Sequence, residues 1–240
     1  MDLATNSMSN GWSMALIVKI CGLREEETLD AAIAAGADMI GLVLFARSPR
    51  CVSPDRAAEL AQRARGKVEV VALVVDPESD WLRQVATLVA PDWVQFHGRE
   101  EPAALAAWRP LVRARLMKAL PVANPGDLAA VGAFAPVVDR ILFDAKPPRG
   151  ADRPGGHGRP FDWSLLAGVE RGLPYMLSGG LTPDNVGEAI GATGACGVDV
   201  SSGVESAPGV KDPALIEAFV AAARKSASAA PLCNSTRLAS

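Results

Sequence analysis

The chain has 240 residues, 49% of them hydrophobic, and a formal net charge of -3. It contains no apolar run of about 18 residues. These values fit one domain with an ample core and exclude a broad basic face for nucleic acid and a helical membrane span. Four scattered cysteines (Cys21, Cys51, Cys196, Cys233) form no Cys-x-x-Cys pair, and His97 and His157 are the only histidines. That pattern argues against a zinc or multi-histidine metal site. It fits reduced thiols in a cytoplasmic protein.

Residues 1–15 are polar and rich in Ser and Asn, without the basic start and apolar stretch of a secretory signal. They read as a loose N-terminal tail, and residues 228–240 as a C-terminal one. Between them, nearly continuous apolar runs predict strands at 16–21, 39–45, 68–75, 93–97, 115–120, 140–144, 175–178 and 197–201. Alternating with these, segments with helical spacing cover 25–35, 54–64, 79–89, 102–108, 125–134, 162–170, 183–190 and 213–227. Three begin with a capping residue followed by proline: Ser53-Pro54, Thr182-Pro183 and Asp212-Pro213. Eight βα units in one domain, 16–227, predict an α/β fold of the closed (β/α)8 TIM-barrel type. An open doubly wound sheet is the alternative, but the first strand lacks that fold's glycine fingerprint.

In such a barrel the chemistry sits at the C-terminal strand ends. Strand seven runs into Ser178-Gly179-Gly180-Leu181, and strand eight into Ser201-Ser202-Gly203-Val204-Glu205. Small residues there leave backbone N–H groups bare, and following helix starts add a favourable dipole, so the pair predicts a phosphate site. The remaining ends are Lys19-Ile20-Cys21-Gly22, Phe45 through Ser48-Pro49-Arg50, Gln95-Phe96-His97-Gly98 and Phe143-Asp144.

Taken in order, with Phe161-Asp162-Trp163, these pieces resemble the phosphoribosylanthranilate isomerase family of the tryptophan pathway. The resemblance spans residues 18–205 and implies a cofactor-free and metal-free Amadori rearrangement of a small phosphorylated aminoaldose. It carries over Cys21 as general base and Asp144 as general acid. Lys19, two positions before Cys21 on the same strand face, is expected to supply positive charge that lowers the thiol's pKa. Asp144 is expected to be kept protonated by burial or a nearby anion; its bland reading is a cap or a partner for Lys146. Arg50 is expected to fork onto the anthranilate carboxylate, with Arg47 as a solvated loop charge. Gly179, Gly180, Ser201, Ser202 and Gly203 are expected to bind phosphate, with Asp199 orienting their donors. His97 reads as a rim hydrogen-bonder. The Gly/Pro-rich loop 145–160 reads as either a lid or a passive loop.

Three other readings compete. A bifunctional isomerase that also serves the histidine pathway generally uses an aspartate where this chain has Cys21. A phosphate-binding epimerase needs metal-binding histidines. A noncatalytic barrel would have lost Cys21 or Asp144. A monomer is the expected state, with a dimer as the variant, and neither nucleic acid nor membrane is an expected partner.

Overall fold

A computed structural model describes residues 15–147, 150–151, 154–156, 158, 160–169 and 174–227. Residues 1–14 of the expected N-terminal tail 1–15, the C-terminal tail 228–240, His157, Glu170 and part of loop 145–160 lie outside the described residues. Eight parallel strands close a barrel in chain order. They are β1 (Ile17–Cys21), β2 (Met39–Val43), β3 (Glu69–Val74), β4 (Trp93–Phe96), β5 (Arg115–Val122), β6 (Arg140–Ala145), β7 (Tyr175–Leu177) and β8 (Gly197–Val200). Around them run α1 (Glu26–Ala34), α2 (Pro54–Ala64), α3 (Ser79–Val89), α4 (Pro102–Trp108), α5 (Val131–Phe134), α6 (Val186–Thr193) and α7 (Pro213–Ala227).

Strand alternation sorts the side chains. Val18, Ile20, Val70, Ala72, Val94, Phe96, Ile141, Phe143, Val198 and Val200 point outward into the annular core under the helices. Met39, Val71, Trp93, Met117, Leu142 and Met176 fill the barrel interior as a separate cluster. Above them, Cys21, Val43 and Leu73 form a third layer near the mouth. The same parity that buries Val18 and Ile20 outward aims Lys19 and Cys21 inward.

A backbone pattern repeats at the opposite end. Asp38, Asp92 and Asp139 each stand just before an even-numbered strand, and each carboxylate accepts the N–H of the preceding odd strand. The acceptances are from Val18 at 2.7 Å, Val70 at 2.8 Å and Leu116 at 2.7 Å. The aspartates' own N–H groups donate to the carbonyls of those same residues. At the fourth equivalent place stands Cys196, whose N–H donates to Tyr175 O in the same way.

Several predicted elements change. Residues 125–130 form a 3-10 helix, capped by the reciprocal Asn124–Asp127 pair, before the short α5. The predicted sixth helix is a 3-10 helix, Trp163–Gly168. Helix α6 starts at Val186, not at Pro183, because Asn185 accepts from Thr182 N–H and donates to Gly180 O, shaping a turn first. The caps at Ser53 and Asp212 form as predicted. After β8 come a three-residue 3-10 turn (Ser202–Val204) and a hairpin of β9 (Glu205–Ala207) and β10 (Val210–Lys211), which no apolar periodicity announced. Cys21 and Cys51 carry free thiols, and Cys196 is disulfide-bonded, against the expectation that all four thiols are reduced.

Candidate active site

At the C-terminal end of the barrel, a cavity of about 340 Å³ is lined by Cys21, Arg50, His97, Asp144 and the loops after β6, β7 and β8. Of the predicted site residues, Gly179, Gly180, Asp199, Ser201 and Ser202 also line it. Lys19 and Gly203 stand behind its wall.

Cys21 ends β1, and its thiol has room because residue 41 on β2 is glycine. A Cβ there would stand 2.7 Å from Sγ. Lys19 is fully buried on the same strand face and donates to Asp199 Oδ1 at 2.8 Å. The β1–β8 register sets Lys19 directly opposite Asp199. Burial pulls the ammonium down, but Asp199 and Cys21 outweigh it and hold Lys19 above its ordinary value. The expected lowering of the thiol does not result. Burial pushes Cys21 up and Asp199 adds to it, beyond what Lys19 and Lys211 pull back. Lys19 supplies the charge that the sequence implied, and its own partner neutralises it.

Asp144, near the end of β6, is buried. Its Oδ1 accepts the Ala145 N–H at 2.9 Å and its Oδ2 lies 3.1 Å from His97 Nε2. Gln95 Nε2 lies 3.1 Å from His97 Nδ1. With Gln95 donating, Nε2 carries the ring hydrogen and donates to Asp144. The rim histidine is thus bonded to the candidate acid. Sequence reasoning undervalued it because only the fold joins residues so far apart. Lys146, the bland partner considered for Asp144, pairs instead with Asp127.

Arg50 is buried at the end of the loop after β2, while Arg47 is exposed. Its Nε and Nη2 donate to Glu205 Oε1 and Oε2 at 2.6 and 2.8 Å. Glu205 also accepts from Lys211 Nζ at 2.7 Å. Burial acts to raise Glu205, but Arg50 and Lys211 hold its carboxyl below the usual range. Lys211 is pulled down to about 8, chiefly by burial. The sequence reading missed both residues. Glu205 stood in a quoted motif without a role, and Lys211 belongs to the unannounced hairpin.

The two predicted phosphate loops face one another. Gly179 and Gly180 have φ of +87° and +66°, a region that favours glycine. A Cβ on Gly179 would also stand 2.5 Å from Ala145 N. A Cβ on Gly203 would collide with the Leu181 carbonyl. Gly203 therefore lets the two loops pack closely. Asp199 corrects another expectation: it binds Lys19 and Ser178 Oγ, not backbone amides. A three-residue 3-10 turn follows β8, so the N–H groups there have no long helix directly behind them.

A closed (β/α)8 barrel with a buried thiol, carboxyl and guanidinium around one mouth, beside two glycine- and serine-built loops, defines a barrel enzyme of the phosphate-binding class. The family model described as N-(5'phosphoribosyl)anthranilate (PRA) isomerase matches residues 18–222. A relative of that name from Afipia carboxidovorans is 56% identical over 215 residues, 90% of this chain and 92% of its own. Another, from Paramagnetospirillum magneticum, is 53% identical over 88% of this chain and 98% of its own. The crystal structure of phosphoribosyl anthranilate isomerase from Thermotoga maritima is similar at 35% identity with a TM-score of 0.80, covering 88% of this chain and 99% of that one. A structure of such an isomerase in complex with reduced 1-(o-carboxyphenylamino)-1-deoxyribulose 5-phosphate matches at 32% identity with a TM-score of 0.76, covering 88% of this chain and 99% of that one. The chain belongs to the N-(5'-phosphoribosyl)anthranilate isomerase family.

Proposed function

We propose that this chain converts N-(5'-phosphoribosyl)anthranilate into 1-(2-carboxyphenylamino)-1-deoxyribulose 5-phosphate in tryptophan biosynthesis, by acid–base catalysis without a cofactor. One observation carries the reading: a single cavity joins Cys21, Asp144, Arg50 and the two loops after β7 and β8.

Asp144 gives a proton to the ribose ring oxygen, the C1′–O bond breaks, and the nitrogen lone pair closes a Schiff base. The Cys21 thiolate then takes the proton from C2′. The resulting enolamine takes a proton at C1′ and releases one from O2′, giving the ketone. His97 and Ala145 hold the Asp144 carboxylate by N–H donors as it loses its proton. The raised thiol makes the Cys21 thiolate a scarcer but stronger base. Arg50 receives the anthranilate carboxylate. Gly179, Gly180, Ser201 and Ser202 receive the phosphate through N–H groups, Gly203 holds their loops together, and Lys19 and Asp199 lie beneath as charge support.

The test follows the fluorescence of N-(5'-phosphoribosyl)anthranilate as it is consumed, beside the aminoaldose of the histidine pathway. Turnover of the first alone supports the reading. Turnover of both favours the bifunctional alternative, and turnover of neither overturns an isomerase. We also propose a monomer. Among the described residues, Leu88 and Val210 are the large apolar side chains left exposed, which offers little apolar surface for a second copy. Sedimentation at micromolar concentration checks this. We further propose a cytoplasmic enzyme, on the ground of the pathway it serves; cell fractionation checks this.

A further inference from the structure

We propose that Glu205 and Lys211 are positioning residues for recognition of the substrate's carboxylate. The hairpin after β8 grips Arg50 by one edge and turns the other edge into the cavity. The inference rests on the functional reading above, in which Arg50 meets that carboxylate.

A guanidinium presents five N–H donors on a flat fork. Glu205 occupies the side-on edge, made of Nε and Nη2. The end-on edge, with one Nη1 hydrogen and the second Nη2 hydrogen, is the one left for an anion. Nη1 faces the cavity side, where a Cβ on the lining residue Gly156 would stand 2.5 Å from it. Two carboxylates can therefore use the same guanidinium, one from the protein and one from the substrate.

An Arg50–Glu205 pair alone would be neutral. Lys211 makes the buried group two cations and one anion, so the group carries a surplus positive charge, and Arg50 is the member of it that lines the cavity. Lys211 also donates to Ser201 O at 2.7 Å and Ser201 Oγ at 3.2 Å. Ser201 Oγ in turn donates to Cys21 O at 3.0 Å. The hairpin is held to the Arg50 turn by its own backbone. Gly209 has φ +82°, a Cβ there would stand 2.5 Å from Pro49 O, and its N–H donates to Glu205 Oε2 at 3.2 Å. Glu205 is thus fixed on both sides before it meets Arg50, and its carboxylate sets where the guanidinium lies.

The probes are reduced 1-(o-carboxyphenylamino)-1-deoxyribulose 5-phosphate and the same compound without the ring carboxylate. Calorimetry compares their affinities for the wild type, Arg50→Ala, Glu205→Gln, Lys211→Met and the double variant Arg50→Ala/Glu205→Gln. Wild type is expected to prefer the carboxylate-bearing ligand by about tenfold or more. Glu205→Gln is expected to lose most of that preference, and Lys211→Met at least about threefold of it. In the Arg50→Ala background, Glu205→Gln should change the preference no further, because it acts through Arg50. Should Glu205→Gln fail to fold, Lys211→Met carries the test. Unchanged preference in a folded Glu205→Gln and in Lys211→Met would overturn this inference alone. A further loss in the double variant would also overturn it, because Glu205 would then act independently of Arg50. Failure of the wild type to bind either probe would overturn the functional reading, and this inference with it.

Discussion

The two ends of the barrel differ in what their carboxylates chiefly serve: strand N–H groups at one end, buried cationic and imidazole side chains at the other. At the N-terminal end, Asp38, Asp92 and Asp139 accept strand N–H groups, and Asp38 and Asp139 take the half-buried Arg224 and the exposed Arg109 as further partners. At the mouth, Asp144, Asp199 and Glu205 are shielded from solvent and meet side chains: His97, Lys19, Arg50 and Lys211. A backbone partner is fixed by the fold and makes a staple. A side-chain partner can be shared with a substrate or released by protonation. Stability and chemistry are thereby kept at separate ends, and substitutions at each end should separate them as well.

The largest effect belongs to the mouth. Cys21→Ser and Asp144→Asn should each lower kcat by roughly 10²–10⁴-fold while circular dichroism and melting stay near wild type. Near-normal turnover in either folded variant removes that residue from the reaction. Next comes Gly203→Val, which forces a side chain into the Leu181 carbonyl and should cost about 1–3 kcal/mol of stability. Competition by inorganic phosphate should weaken in the same variant. Stability lost with phosphate competition intact would mean the two loops do not form one anion site.

At the other end, Asp92→Ala should cost about 1–2 kcal/mol, by leaving the Val70 N–H without its carboxylate, and should leave kcat/KM untouched below the melting range. A kinetic defect there would blur the division between the ends. The smallest effect is a pH dependence. Lys211 sits at about 8 in the folded chain and near 10.4 unfolded, so between those values the unfolded chain holds more protons. Stability from this group therefore rises with pH through that window. Its raised thiol gives Cys21 the opposite sense, and Cys21 is present in both proteins compared. Urea midpoints at pH 7 and pH 9 should show the wild type gaining about 1 kcal/mol relative to Lys211→Met. An equal change in both proteins would place Lys211 elsewhere in the titration.

Strand positions were readable because a parallel barrel strand is apolar on both faces, and two-residue parity then aimed Lys19 and Cys21 together. Helices with strong periodicity, such as α2 and α3, were equally plain. The segments at 125–130 and 163–168 were misread because short Ala/Leu- and Gly-containing stretches satisfy a helical pattern without specifying the tighter 3-10 winding. Asp144 and Arg50 were singled out because each ends or follows a strand and also falls in a motif that resembles the family's. Glu205 was not given a role because its meaning lies in Arg50, 155 positions earlier. The direction of the Cys21 shift was missed for a related reason. Lys19 was visible beside it, but the pairing of β1 with β8 that brings Asp199 to Lys19 was not.

The pairing of β7 with β8 has a dynamic consequence. Strand β7 has three residues and shares two register pairs with β8, whereas β5 and β6 share six. By strand pairing among the described residues, the quarter carrying both proposed phosphate loops is joined by the shortest ladder. Its amides should exchange with deuterium through local opening well below the cost of global unfolding. An anion held between the two loops binds only the closed form and slows that exchange, by about 2.7 kcal/mol at a hundredfold excess over its dissociation constant. For this corner of the barrel, binding the ligand and finishing the fold are the same equilibrium.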